Sequence, residues 1–325
     1  VSTLNSQLQA AWMRWKTQLV TTTGAPVGSR VEDPQTNDRT VSEGIGYGML
    51  ISVYMADKTT FDALWSYAQH FFDNGLMNWE ITSSGTVEGQ GSATDADQDM
   101  GWALLMATKQ WPSGGYESAA TTLIGNISSQ EFVGNFPNVG NQSMNVQYYD
   151  YFSPAYYPGF EAAVSGKFTN AVSTGYSLIG SVANSTTHLT PDDQGSSTFG
   201  YDACRSPWRI GVDYCMHDSS QAQAFLAPMV TLFVNTGASG LELPLNLDGT
   251  KQSGASVTGA ITGPAGVAAM SSSSNQAFVT AAYQATFTQA NTTDSGMLNY
   301  FGSSLGVLAM LEMSGNFFDY TNPPQ

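Results

Sequence analysis

Apolar residues recur at helical spacing in segment after segment of this 325-residue chain, and little of it alternates as a strand would. Leu4–Val20 sets Leu4, Leu8, Trp12, Trp15 and Leu19 on one stripe. Helical patterns follow in the glycine-marked run Ser42–Asp57 and in Thr60–Phe72, Ala96–Trp111 and Tyr116–Ser129. They return over Phe160–Ser181, Ser206–Asp218, Gln221–Asn235, Asn275–Ala285 and Asn299–Met313. Between them lie stretches punctuated by Gly, Pro, Asn and Asp: Thr21–Thr40, a hairpin-like Asn74–Gln90, Phe132–Pro158, the loop around Pro191 and the glycine-rich Thr250–Ala268. Roughly ten to twelve helices result, with few strands, no repeat at a fixed period and no dividing linker. One large all-α domain over residues 1–325 is expected, its long loops gathered at one end as a site.

Lys plus Arg number 10 against 26 for Asp plus Glu, a net charge of −16. That excess repels phosphates and anionic lipid, so neither nucleic acid nor a membrane surface is an expected partner. No apolar run reaches the length of a membrane span, and no signal peptide opens the chain, whose Val1 reads as a processed start. Only 11% of residues are charged, so the surface is finished with Ser, Thr, Asn, Gln and Gly, as in many exported proteins. A secreted or periplasmic monomer is the expectation. Cys204 and Cys215 are eleven residues apart in a helical segment, about 16 Å, too far for a disulfide. His70, His188 and His217 are scattered, and no GxSxG elbow is present. Neither a metal, nor another cofactor, nor a Ser–His–Asp triad is expected.

Carboxylates remain. Glu43 is the only charged residue between Arg39 and Asp57, at the mouth of an apolar helical run and ahead of Gly44, Gly46 and Gly48. Glycine costs a helix about 1 kcal/mol relative to alanine, so three of them imply the close approach of another backbone or of a ligand. A carboxyl with apolar neighbours suits a general acid; equally, an acid in a first turn suits the helix dipole, with Ser42 as cap. Asp95, Asp97 and Asp99 crowd a second helix entry in ATDADQDMGWALLMATKQW. The Gly and Glu that would complete a calcium loop are missing from it. In FGYDACRSPWRIGVDY, Asp202 precedes Arg205 by three and Arg209 by seven, spacings that share a helical face and serve either a site or a buried ion pair. Trp79, Tyr148, Tyr149, Tyr151, Tyr156, Tyr157, Tyr201 and Tyr300 fall in loop-like or element-end positions. Aromatic faces beside carboxylates fit carbohydrate, and they fit a protein core as well.

Taken together, VSEGIGYGM, ATDADQDMGWALLMATKQW and YDACRSPWRIGVDY resemble the hallmark blocks of glycoside hydrolase family 8, in the family's order and with SPAYYPGF between the second and third. The second block departs at Gly101, where the family usually has Ala. The terminal YFGSSLGVLAMLEMSGNF resembles the family's last helix, so the likeness covers about residues 8–320. The resemblance implies an (α/α)6 barrel with an open cleft at one end and inverting hydrolysis of β-1,4 linkages. By position, Glu43 would be the general acid and Asp202 the base that activates water. Asp95 would hold the central sugar and Arg205 would orient Asp202. Trp79, Tyr157, Tyr201 and Tyr300 would line the cleft, and Asp97 would join the cluster or serve structure alone. The Asp in YDACR points to the branch with cellulases and xylanases. An endo-β-1,4-glucanase is therefore expected, ahead of xylanase, mixed-linkage glucanase or chitosanase. A catalytically silent glycan-binding protein on the same barrel is the alternative of a different class.

Overall fold

The computed structural model describes residues 2–142, 146–294 and 296–322. Twelve α-helices run through these residues: α1 Ser2–Leu19, α2 Ser42–Tyr54, α3 Lys58–His70, α4 Thr94–Gln110, α5 Tyr116–Gln130, α6 Tyr157–Ala163, α7 Ala171–Val182, α8 Ser206–His217, α9 Ser220–Thr236, α10 Gly259–Ala269, α11 Gln276–Ala290 and α12 Tyr300–Met313. Even-numbered helices form an inner ring and odd-numbered ones an outer ring. Thus α2 packs on α4 and α12, α10 packs on α8 and α12, and α3, α5, α9 and α11 back onto their inner neighbours. This is an (α/α)6 barrel.

The two rings differ in residue pattern. Every residue of α2 except Glu43 is buried, as is every residue of α10, whereas α3 buries only Phe61, Leu64, Trp65 and their neighbours on one face. A helix surrounded by others is apolar all round, and one at the rim is striped. Buried side chains from Leu8 to Phe317 join in one core. At its centre the buried Arg209 of α8 grips Asp99 of α4 with both Nη atoms, Nη2 to Oδ2 at 2.8 Å.

The sequence reading missed α10. Its GAITGPAGVAA reads as loop because glycine and proline are poor helix formers. Here small size outweighs propensity. A Cβ on Gly263 would stand 2.7 Å from that of Ala309, and one on Gly259 would stand 2.3 Å from the carbonyl oxygen of Gly302. The glycines let α10 lie close against α12. The expected helix Phe160–Ser181 is two, α6 and α7. Between them the Glu161 carboxylate accepts from the backbone N–H groups of Lys167 (3.0 Å) and Phe168 (2.7 Å), folding the chain into a turn at Gly166, φ +80°.

Strands are short and stand outside the rings. A local recurrence appears among them that no fixed period betrays. Outer helices α3, α5 and α11 are each followed by a hairpin (Phe72–Asp73 with Leu76–Met77, Phe132–Val133 with Phe136–Pro137, Thr293–Asp294 with Met297–Leu298) and then by an asparagine, Asn78, Asn138 or Asn299. The first two hairpins are tied back identically: the Asn78 N–H donates to the Phe71 carbonyl at 3.0 Å and that of Asn138 to Glu131 at 2.7 Å. The third asparagine caps α12 through Gly302 N–H.

Candidate active site

Inner helices present their N-terminal turns to one cleft of about 520 Å³. Glu43 lies in the first turn of α2, Asp95 in that of α4, Tyr300 opens α12, and Asp202 and Arg205 belong to the turn entering α8. The positive ends of helix dipoles favour carboxylates at such positions by about 0.3–1 kcal/mol each. The Asp202 turn is held by Asp192, whose Oδ1 accepts from the N–H groups of Gly200 (2.8 Å), Asp202 (3.2 Å) and Ala203 (2.9 Å).

Arg205 joins the four helix entries. Its Nη1 donates to Glu43 Oε2 and, at 2.8 Å, to Asp95 Oδ2; its Nη2 donates to Asp202 Oδ1 at 2.9 Å. Its Nε lies 2.6 Å from Oδ2 of a fourth carboxyl, Asp150, as an ion pair without hydrogen-bond alignment. The rings of Tyr151 and Phe301 lie 5.5 and 5.9 Å from the guanidinium carbon. One cation cannot balance four anions in a buried place, so the cluster must hold protons. The guanidinium occupies the point on which the carboxyls converge.

Glu43 is a member whose proton affinity is raised into the neutral range. Burial pushes it up to about 7; Arg205 and the Tyr300 hydroxyl pull down, while Asp95 and Asp202 push up. Tyr300 donates to Glu43 Oε1 at 2.8 Å. Asp202 also lies above its ordinary value, because burial outweighs the pull of Arg205. Its side chain is nevertheless 43% exposed, against 15% for Glu43. The pair therefore comprises an enclosed acid and a carboxyl open to water. Trp79 and Tyr201, both exposed, add aromatic faces to the cleft beside Tyr300, Tyr151 and Phe301.

Seven of the nine candidate residues thus meet at the cleft, and two do not. Tyr157 is buried: its hydroxyl accepts from Ser153 N–H at 3.1 Å, and its ring packs among Phe132, Phe152 and Phe168. A tyrosine at the end of an aromatic loop reads the same whether it faces sugar or core. Asp97 points away from the cleft, toward Glu131, which also accepts from Ser92 Oγ at 2.5 Å. Burial pushes both carboxyls up, Glu131 to about 8; Glu131 pushes Asp97 further, while hydrogen bonds with Ser92 and Asp97 pull Glu131 down. Arg209 leaves the site as well, for Asp99. Ser42 is not the cap of α2; Val41 holds that place, and the Ser42 hydroxyl is buried without a partner. The glycines of α2 make room for protein. A Cβ on Gly44 would stand 3.0 Å from the Tyr300 ring, one on Gly46 3.0 Å from Ala96 O, and one on Gly48 2.6 Å from Leu64.

Asp150 and Asp192 were missed. Asp150 had a signal: it is the only charged residue between Glu131 and Glu161. Asp192 stands beside Asp193 in a loop where acids are common, and nothing in the sequence distinguishes it.

An acid enclosed beside an open carboxyl, in an aromatic-walled cleft on a double ring of helices, has the parts for acid–base cleavage of a glycosidic bond. The profile of glycosyl hydrolases family 8 matches residues 1–315. Endoglucanase C of Ruminiclostridium cellulolyticum is 32% identical, over 99% of this chain and 74% of its own. A beta-glucanase of Niallia circulans is 31% identical, over 98% and 87%. The apo structure of a beta-1,3-1,4-glucanase from Paenibacillus sp. X4 superposes with a TM-score of 0.88 at 29% identity, covering 97% of this chain and 93% of that one. The chain belongs to glycosyl hydrolases family 8, and it is a glycoside hydrolase.

Proposed function

We propose that the protein is an inverting endo-β-1,4-glucanase acting through Glu43 as general acid and Asp202 as general base. The observation that carries this reading is the unequal pair on one arginine: Glu43 enclosed and raised to about 7, Asp202 open to solvent. Glu43 protonates the leaving oxygen, while Asp202 removes a proton from a water attacking the opposite face of the sugar. Arg205 between them keeps their nearest oxygens within about 8 Å, which overlaps the roughly 6.5–9.5 Å that leaves room for such a water. Asp95 holds the sugar at the centre, and Trp79 and Tyr201 stack against its neighbours. The relatives named endoglucanase and beta-glucanase support β-glucan as substrate. A surface rich in uncharged polar residues supports an exported enzyme, working as one domain over residues 1–325.

Release of reducing ends from carboxymethylcellulose, lichenan, xylan and chitosan, measured side by side, tests the substrate; the two glucans should be cut fastest. Proton NMR of fresh product should show the α-anomer, and a β-anomer would overturn inversion. Glu43→Gln and Asp202→Asn should each lose at least about a thousandfold in kcat while still binding oligosaccharide. Undiminished turnover in either variant removes that residue from its role.

A further inference from the structure

Asp150 sits in the 3-10 turn Tyr149–Tyr151, packed against the entry of α8, and its side chain is fully buried. It does not line the cleft. Neither of its oxygens has an aligned hydrogen-bond partner, yet Oδ2 is 2.6 Å from Arg205 Nε. An arginine fork has two sides. Here Nη1 and Nη2 face the three carboxyls at the cleft, and Asp150 alone flanks Nε through its side chain; the Asp202 carbonyl, 3.3 Å away, is the other neighbour there. We propose that Asp150 is a positioning residue, which anchors the Nε side of Arg205 and sets how much of its positive charge reaches Glu43 and Asp202.

The physical argument is competition. A carboxylate at Nε draws on the same delocalised charge that lowers the proton affinity of Glu43 and Asp202. Burial pushes Asp150 above its ordinary value, with Arg205 pulling down and Asp202 and Asp95 pushing up. Protonating it, however, would bury an O–H with no acceptor beside a guanidinium that is itself all donor. The other groups facing this network are Glu43 and Tyr47 from α2, Asp95 from α4, the Asp99–Arg209 pair between α4 and α8, Asp202, Asp192, Asp193 and Cys204 from the α8 approach, Tyr148 and Tyr151 beside Asp150, and Tyr300 from α12. All but Arg209 are acids, phenols or a thiol, so removing one anion from among them eases ionisation of the rest.

This inference rests on the acid and base roles given to Glu43 and Asp202. In Asp150→Asn both limbs of the pH profile of kcat/KM should move to lower pH, by about half to one unit, with KM for oligosaccharide changed less than twofold. Asp150→Ser, which removes the charge and leaves space for water, should shift the profile the same way and serves if the amide variant does not fold. Asp150→Glu keeps the charge and should keep the profile in place even where kcat falls. Profiles that stay put in both neutral variants, or move to higher pH, overturn the proposal and leave Asp150 a packing residue. If instead Glu43→Gln and Asp202→Asn remain active, the catalytic reading fails, a result the Asp150 profiles cannot mimic.

Discussion

The Tyr300 hydroxyl reaches Glu43 Oε1 at 2.8 Å, across a gap that exists because residue 44 has no side chain. A hydroxyl that donates to a carboxyl favours its ionised form, so Tyr300 holds Glu43 lower than burial alone would. Tyr300→Phe should therefore move the alkaline limb of activity to higher pH, above about 7, by several tenths of a unit or more. A limb that moves down would mean that Tyr300 is not a donor to the acid.

Gly44→Ala tests the gap itself. Its Cβ would stand 3.0 Å from both Cε2 and Oη of Tyr300, a buried ring with little freedom to retreat. Loss of the hydrogen bond should lower kcat about tenfold or more, the range for a positioning contact. Alanine favours the helix by about 1 kcal/mol, which works against the clash, so melting temperature should change little. A large fall in melting temperature with normal kcat would show the reverse.

Gly101→Ala should stabilise. Residue 101 lies mid-helix in α4, and a Cβ there would meet Ile124, Ile127 and Phe160 at 3.4 Å, ordinary contact distance. The expected gain is about 0.5–1 kcal/mol, or about 1–3 °C in melting temperature, with activity unchanged. A lower melting temperature would show that the space between α4, α5 and α6 cannot take a methyl group.

Stability should fall as pH rises. Glu131 and Glu312 are each raised to about 8 and Glu43 to about 7, chiefly by burial, and Asp97 is raised well above its ordinary range. The folded protein therefore binds more protons than the unfolded chain from about pH 4.5 upward. The stability that goes with these protons is complete below that pH and lost as pH climbs through 7 to 8, at no more than about 1.4 kcal/mol per unit for each group. Glu131→Gln, which mimics the protonated acid, should flatten melting temperature against pH between 5 and 8. An unchanged slope would remove Glu131 from the explanation.

Legibility in the sequence followed physical uniqueness. Glu43 stood out as a lone charge in an apolar run, but the helix dipole explains such an acid as well. Only its company with the blocks around Asp95 and Asp202 pointed to a site. The rings were legible where burial wrote stripes, as in α3, and illegible where it wrote small residues instead, as in α10. Tyr157 is buried among aromatic rings and Tyr201 stands exposed at the cleft, a difference that local sequence does not encode. Asp150 acts on Arg205 from 55 residues away, through a contact that exists only once the barrel has closed.

The paired ties from Asn78 to Phe71 and from Asn138 to Glu131 have a further bearing. Each hairpin is clipped to the end of its own outer helix, so the chain beyond it starts from a fixed point whatever follows. The segment after Asn78 carries Trp79 into the cleft, and the one after Asn138 leads toward Tyr151. The rim can thus be rewritten in length and residue between anchored points while Glu43, Asp202 and their shared arginine keep their bearings on the helix ends.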